Sequence, residues 1–204
     1  MSPDGFCEHY LTLSWKPDLE CNKDKLDDQF KPYGATPGHG IEWARLITQW
    51  ALSAYRNKET GEVTGAEKYL DAAQKLFLRV VEDGWNSDGA PGIVYTTDWN
   101  GKPIVHDRMH WTLAEAINTS ASLYQVTGKE LYADYYAQFM SYLDDKVIAH
   151  VQGCWFHQLD RNNRVLDTVW PGKSDLYHAT QATLIPYYTA DMSIAKAVKD
   201  KKLI

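Results

Sequence analysis

Three histidines, His39, His110 and His178, stand 71 and 68 residues apart, each at or near the start of an apolar-periodic segment. Around each of them the chain runs through one order: a loop with alternating apolar residues and turn signals, a helical segment with the histidine at its head, and a returning helical segment. Helical periodicity is clearest over 40–55, 66–81, 107–124, 129–148 and 176–187, with a last segment over 190–201. Gly65 and Gly128 fall where a helix pair turns. The stretches FCEHYLTLSWKPD, GIVYTTDWNGKPIV and CWFHQLDRNNRVLD each read as a short β-hairpin, with WNGK and DRNNR at the tips of the last two. A period of about 70 residues built this way is that of stacked αα-hairpins, units that cannot bury an apolar stripe alone and need neighbours.

The two helices of each pair differ in kind. IEWARLITQWAL, MHWTLAEAINTSASLY and LYHATQATLIPYY are apolar or small on most faces, whereas AEKYLDAAQKLFLRVVEDG and KELYADYYAQFMSYLDDKV carry a charged stripe. The first set is expected to line an interior and the second to form an outer layer, which predicts an all-α toroid with short β-hairpins in its rim loops. A closed ring of six hairpins needs roughly 400 residues at about 70 per hairpin. The chain has 204, so the expected architecture is about half of an (α/α)6 barrel, read as a single domain over residues 1–204, with the inner-helix N-termini on one functional rim.

Composition narrows the partners. A formal charge of −6 and the absence of a Lys/Arg-rich block argue against nucleic acid, since nothing would release its counterions. An uncharged or anionic small substrate remains open. Eight Trp and thirteen Tyr, several of them in the loops, suit stacking on the C–H faces of a sugar, and equally suit ordinary packing with one satisfied polar tip. Cys7, Cys21 and Cys154 show no CxxC spacing, which speaks against a disulfide framework or a zinc site. With no signal-like apolar core in the first twenty residues and nowhere eighteen consecutive apolar residues, a cytoplasmic protein without membrane association is expected.

His39 and Glu42, in PYGATPGHGIEWARL, lie at i and i+3 and share a helix face. Near a helix N-terminus the dipole disfavours imidazolium and favours the carboxylate, leaving a neutral base beside a proton acceptor. The same spacing fits a capped turn in which Glu42 only complements the dipole. HDRMHWTLAEAI supplies His106, Arg108, His110 and Glu115. Glu115 interrupts an apolar helix, where an unpaired carboxylate is costly, so it should meet a partner or a polar cavity unless it faces solvent. His110 fits a ligand contact or a structural histidine, and Trp111 follows it. VWPGKSDLYHATQATLIP offers Trp170, Lys173, Asp175 and Gln181 beside His178, with Ser174 as the expected N-cap of the helix that follows. His39 and His178 occupy matching places in the repeat, the pair needed to move a proton between adjacent carbons. A zinc site from His39, His110 and His178 is a weaker alternative, since no short-range ligand pair nucleates it.

The runs PYGATPGHGIEWARL, HWTLAEAI and WPGKSDLYHATQATLIP together resemble the N-acylglucosamine 2-epimerase superfamily, in its aldose-ketose isomerase branch, which includes mannose and sulfoquinovose isomerases. The likeness spans nearly the whole chain and matches only the C-terminal half of such proteins. It implies that His39 and His178 act as acid and base on an open-chain hexose through an enediol, with Glu42 and Glu115 assisting ring opening and orientation. It also implies substrate contacts among His110, Trp111, Trp170, Lys173, Asp175 and Gln181, and chemistry without metal or nucleotide cofactor. The implied partners are a monosaccharide and either a second copy of the chain or the missing N-terminal half, from which the family draws a further arginine and histidine.

Overall fold

The computed structural model describes residues 14, 16–28, 30–169 and 173–204. The first expected hairpin falls largely outside these residues, as does Trp170. Six α-helices follow in chain order: α1 (Pro37–Ala54), α2 (Glu67–Gly84), α3 (His110–Thr127), α4 (Glu130–Tyr142), α5 (Leu176–Leu184) and α6 (Ile194–Lys199). A π-helical turn over Leu143–Val147 extends α4, and a 3-10 turn over Ile185–Tyr187 extends α5. Pro37 occupies the first turn of α1, where its missing N–H leaves no bond unmade. Gly128 ends α3 in the left-handed region at φ 64°, its N–H reaching the Tyr124 carbonyl at 2.8 Å.

The inner helices α1, α3 and α5 stand in a row with α3 in the middle, and α2 and α4 pack behind α1 and α3. The place of α3 follows from its composition. Every residue from Thr112 to Leu123 is buried, and the small side chains let neighbours close in on each face. Two of its hydroxyls are used within this layer: Thr119 donates to the Ile41 carbonyl of α1 at 2.9 Å and Ser120 to the Ala116 carbonyl at 2.7 Å. The outer pair meets through aromatic edges, with Phe77 5.7 Å from both Tyr132 and Tyr135, and Trp85 4.9 Å from Phe139. At the two ends of the row the apolar surface continues into the open, as Trp43 and Trp50 on α1 and Leu176 and Tyr177 on α5.

The rim carries two small sheets. Strands β1 (Thr96–Thr97) and β2 (Pro103–Val105) form the hairpin expected around WNGK. Strands β4 (Gln158–Leu159) and β5 (Val165–Leu166) form the one expected around DRNNR, joined by a strand that the periodicity did not separate from the helix, β3 (Arg108–Met109). The helical segment expected from residue 107 therefore begins only at His110. Arg108 fastens this corner: its guanidinium donates to both oxygens of Asp88 at 2.8 and 3.0 Å and to the Pro91 and Ala90 carbonyls at 3.1 Å each. Burial alone would raise the Asp88 carboxyl, yet its bonds from Arg108 and His106 hold it far below the usual carboxylate range.

Phe77 has no exposed surface and joins the outer helices to the core. Phe77→Ala is expected to cost about 3–5 kcal/mol, read as a lower urea midpoint at unchanged slope. A loss below about 1 kcal/mol would mean that the outer layer contributes little to this core.

Candidate active site

At the head of α1, Gly38 is required by what lies against it. A Cβ there would stand 2.7 Å from the Trp111 indole and 2.6 Å from the Thr112 methyl. The glycine makes room for the protein's own ring, and Trp111 lies across the first turn of α1. On that indole the two expected imidazoles meet. The His39 ring centroid is 5.0 Å from that of Trp111, and the His178 centroid is 5.8 Å from it. Tyr95 presents an edge to the same indole at 6.3 Å.

Behind the rings lies a buried charge cluster. Glu115 is fully buried, and Arg45, only 3% exposed, donates to both its oxygens, from Nε at 2.7 Å and from Nη2 at 3.1 Å. The same guanidinium lies 4.0 Å from Glu42 and donates through Nη1 to Gln49 at 3.1 Å. His178 contacts Glu115 through Nδ1 at 3.2 Å. An ionised carboxylate can only accept, so the proton of this bond sits on Nδ1, and a neutral His178 keeps Nε2 free to take another.

The two carboxylates are driven apart. Burial pushes Glu115 up, but the His178 hydrogen bond and the Arg45 charge and hydrogen bonds outweigh it and hold the group below its ordinary value. Glu42 is pushed up, by burial first and then by the Glu115 charge, with Arg45 and the two imidazoles recovering only part. One site thus holds two carboxyls whose environments push them in opposite directions from the ordinary carboxylate value.

The other expected contacts are distributed differently. His110 has no exposed side-chain surface: Nε2 lies 2.8 Å from Asp175, and Nδ1 lies 3.2 Å from the His157 carbonyl. Burial pushes the His110 ring down, with Asp175 opposing. The N-cap of α5 is Asp175, whose Oδ1 accepts the His178 N–H at 3.0 Å. Ser174, the expected cap, has its hydroxyl 3.5 Å from Cys154 Sγ, and its backbone N–H donates to the Trp155 carbonyl at 3.2 Å. Lys173 sets its ammonium over the Phe156 ring at 5.0 Å. Gln181 lines an apolar groove between α5 and α6 with Tyr177, Leu184 and Val198. The zinc alternative finds no cluster, since among the described residues no three His, Cys, Asp or Glu side chains converge as ligands. Arg45 went unassigned in the sequence. Its signal was the one applied to Glu115, a charge within an apolar helix.

A family model for N-acylglucosamine 2-epimerase matches residues 2–182. The chain belongs to the N-acylglucosamine 2-epimerase family. A D-mannose isomerase of Pseudomonas cannabina pv. alisalensis is 43% identical over 191 residues, covering 94% of this chain and 45% of its own. One of Thermobifida fusca is 37% identical over 192 residues with the same coverage of both. A crystal structure of a D-mannose isomerase superposes with a TM-score of 0.76 at 25% identity, covering 98% of this chain and 46% of that one. The chain therefore spans about half the length of the relatives it matches, and its three hairpins are about half of an (α/α)6 barrel.

Arg45→Met removes the counter-charge of a fully buried carboxylate and is expected to destabilise by about 3–5 kcal/mol at neutral pH, measured by urea denaturation. In the unaltered protein Glu115 sits below its unfolded value, so its contribution is present at neutral pH and lost as pH falls through that depressed range. In the variant burial raises Glu115 instead, and a protonated Glu115 needs no counter-charge. The deficit should therefore shrink as pH falls through the carboxylate range. A pH-independent deficit would show that Arg45 acts through packing alone.

Proposed function

We propose that the site belongs to an aldose-ketose isomerase acting on a free hexose or hexose derivative, of the mannose–fructose or sulfoquinovose–sulfofructose type, by proton transfer through an enediol. The observation that carries the reading is the meeting of His39 and His178 on Trp111, 5.0 and 5.8 Å from its ring, although they come from hairpins about 140 residues apart in sequence. His178, with Nδ1–H held by Glu115, removes the C2 proton of the open-chain aldose on Nε2, exchanges it with solvent and delivers a proton to C1. His39 with Glu42 serves ring opening and the exchange of protons between O1 and O2. The indole of Trp111 underlies the sugar. No step in this scheme calls on a metal or nucleotide.

What supports the substrate class is membership of a sugar epimerase family together with two D-mannose isomerase relatives. The exposed Trp43 and Trp50 favour one addition: the opposing wall of the cavity comes from three further hairpins, in keeping with relatives about twice as long. Light scattering on the purified chain tests that addition, which expects self-association or capture of a separately made N-terminal half. A well-behaved monomer indifferent to that half would reject it.

The chemistry is tested by NMR in deuterated water with mannose, N-acetylmannosamine and sulfoquinovose. Ketose carrying deuterium at C1 is the expected product, and His39→Ala and His178→Ala should each slow its formation about 10²–10⁴-fold. Deuterium at C2 of N-acetylmannosamine, with mannose untouched, would replace isomerisation by 2-epimerisation. Product without deuterium would replace proton transfer by hydride transfer. No turnover on any of the three sugars would make the chain alone an inactive or merely sugar-binding half-barrel.

A further inference from the structure

The helix that presents His178 has little apolar hold. Along α5, from Leu176 to Leu184, only Ala182 is buried, and Leu176 and Tyr177 are 74% and 60% exposed. Apolar contact alone fixes the rotation of so lightly embedded a helix only weakly, yet His178 meets a fully buried carboxylate on α3. Polar ties at its two ends supply what packing does not. At the far end, Gln125 of α3 donates to the Ile185 and Tyr188 carbonyls at 3.3 Å each. At the near end, the Asp175 carboxylate divides its two oxygens. Oδ1 accepts the His178 backbone N–H at 3.0 Å, and Oδ2 lies 2.8 Å from His110 Nε2 at the first residue of α3. The backbone bond from Ser174 to Trp155 anchors the approach to the helix but leaves rotation beyond it unconstrained.

We propose that Asp175 is a positioning residue, whose carboxylate clamps the first turn of α5 to His110 of α3, and that this clamp holds the Nδ1–H of His178 on Glu115. His110 is suited to be the fixed end. Its side chain has no exposed surface, its ring lies 4.8 Å from that of His157, and its backbone N–H bonds the His157 carbonyl at 3.1 Å, tying it to the rim sheet. A carboxylate only accepts, so the bond to Asp175 places the His110 proton on Nε2 and leaves Nδ1 facing the His157 carbonyl without one. The clamp thus dictates the tautomers of two rings: Nε2–H on His110 and Nδ1–H on His178. The first assignment follows from Asp175 directly. The second follows because α5 can turn its ring only onto Glu115. The consequence for catalysis rests on the proton-transfer reading above, whereas the clamp itself does not.

The experiment reads ring tautomers from long-range proton–nitrogen spectra of the chain labelled with ring-¹⁵N histidine, without substrate. The unaltered chain should show Nδ1–H at His178 and Nε2–H at His110. Asp175→Ser keeps an N-cap acceptor but cannot reach His110, and the Nδ1–H form of His178 should lose its dominance while helical circular dichroism is retained. Asp175→Asn keeps both links, since its amide oxygen caps α5 and its NH₂ donates to His110 Nε2. His178 should then stay Nδ1–H while His110 inverts to Nδ1–H, now donated to the His157 carbonyl. Should Asp175→Ser unfold, His110→Phe removes the clamp and leaves the cap, with the same expected loss at His178. A His178 ring still held as Nδ1–H in Asp175→Ser or His110→Phe would reduce Asp175 to a cap, and no inversion at His110 in Asp175→Asn would break the assigned link. Because no turnover is involved, failure of the isomerase assay leaves this result standing, and the reverse holds equally.

Discussion

The Arg45–Glu115 pair is the interaction on which the rest depends. A carboxylate with no exposed surface on the middle inner helix is tolerable only with a counter-charge in bidentate contact, and that counter-charge must come from α1. The pair therefore fixes how α1 and α3 face each other. With that relation set, the other constraints fall into line. Gly38 admits Trp111, Thr119 reaches the Ile41 carbonyl, and His39 lies against the indole. An apolar pair in place of Arg45 and Glu115 would bury as well. It would leave the Nδ1–H of His178 without the carboxylate that accepts it.

Apolar packing and polar ties divide the labour unevenly along the row. The spine, α3, is enclosed from Thr112 to Leu123 and its placement follows from side-chain volume. At α5 burial falls to one alanine, and hydrogen bonds take over. The gradient matches the architecture, since α3 has an inner neighbour on each side whereas α5 ends the row. His178 accordingly sits where hydrogen bonds rather than contacts set the geometry, and a group so placed is the more sensitive to single-atom changes.

Periodicity made the helices and their inner or outer places legible, because burial on several sides and burial on one write different patterns in the sequence. The histidine repeat likewise pointed to His39 and His178, and the cost of a buried charge pointed to a partner for Glu115. That partner was not named, although Arg45 stands three residues beyond Glu42 in the same apolar helix. Two further features lay beyond local reading. Strand β3 is two residues long and exists because Gln158 and Leu159, some fifty residues later, pair with it. Asp175 rather than Ser174 caps α5, while Ser174 is engaged with distant groups, its N–H on the Trp155 carbonyl and its hydroxyl against Cys154. Both were decided by contacts that local propensity does not contain. His110 matched its family motif in sequence while its surroundings closed it off, so identity of residue carried less than the partner facing it.

The charge count within the site has a consequence for which group holds a movable proton. Arg45 is the one guanidinium beside two carboxylates, and its bidentate geometry commits it to Glu115, leaving Glu42 the weaker contact at 4.0 Å. Because sharing is unequal, the Glu115 carboxyl behind His178 is held below its ordinary value, and the Glu42 carboxyl, one turn along the helix from His39, is pushed above it. The two carboxyls therefore lie on opposite sides of their ordinary values within a site whose two histidines are of like kind. The asymmetry comes not from the imidazoles, which the repeat supplies in matching places, but from where a single arginine directs its two donors.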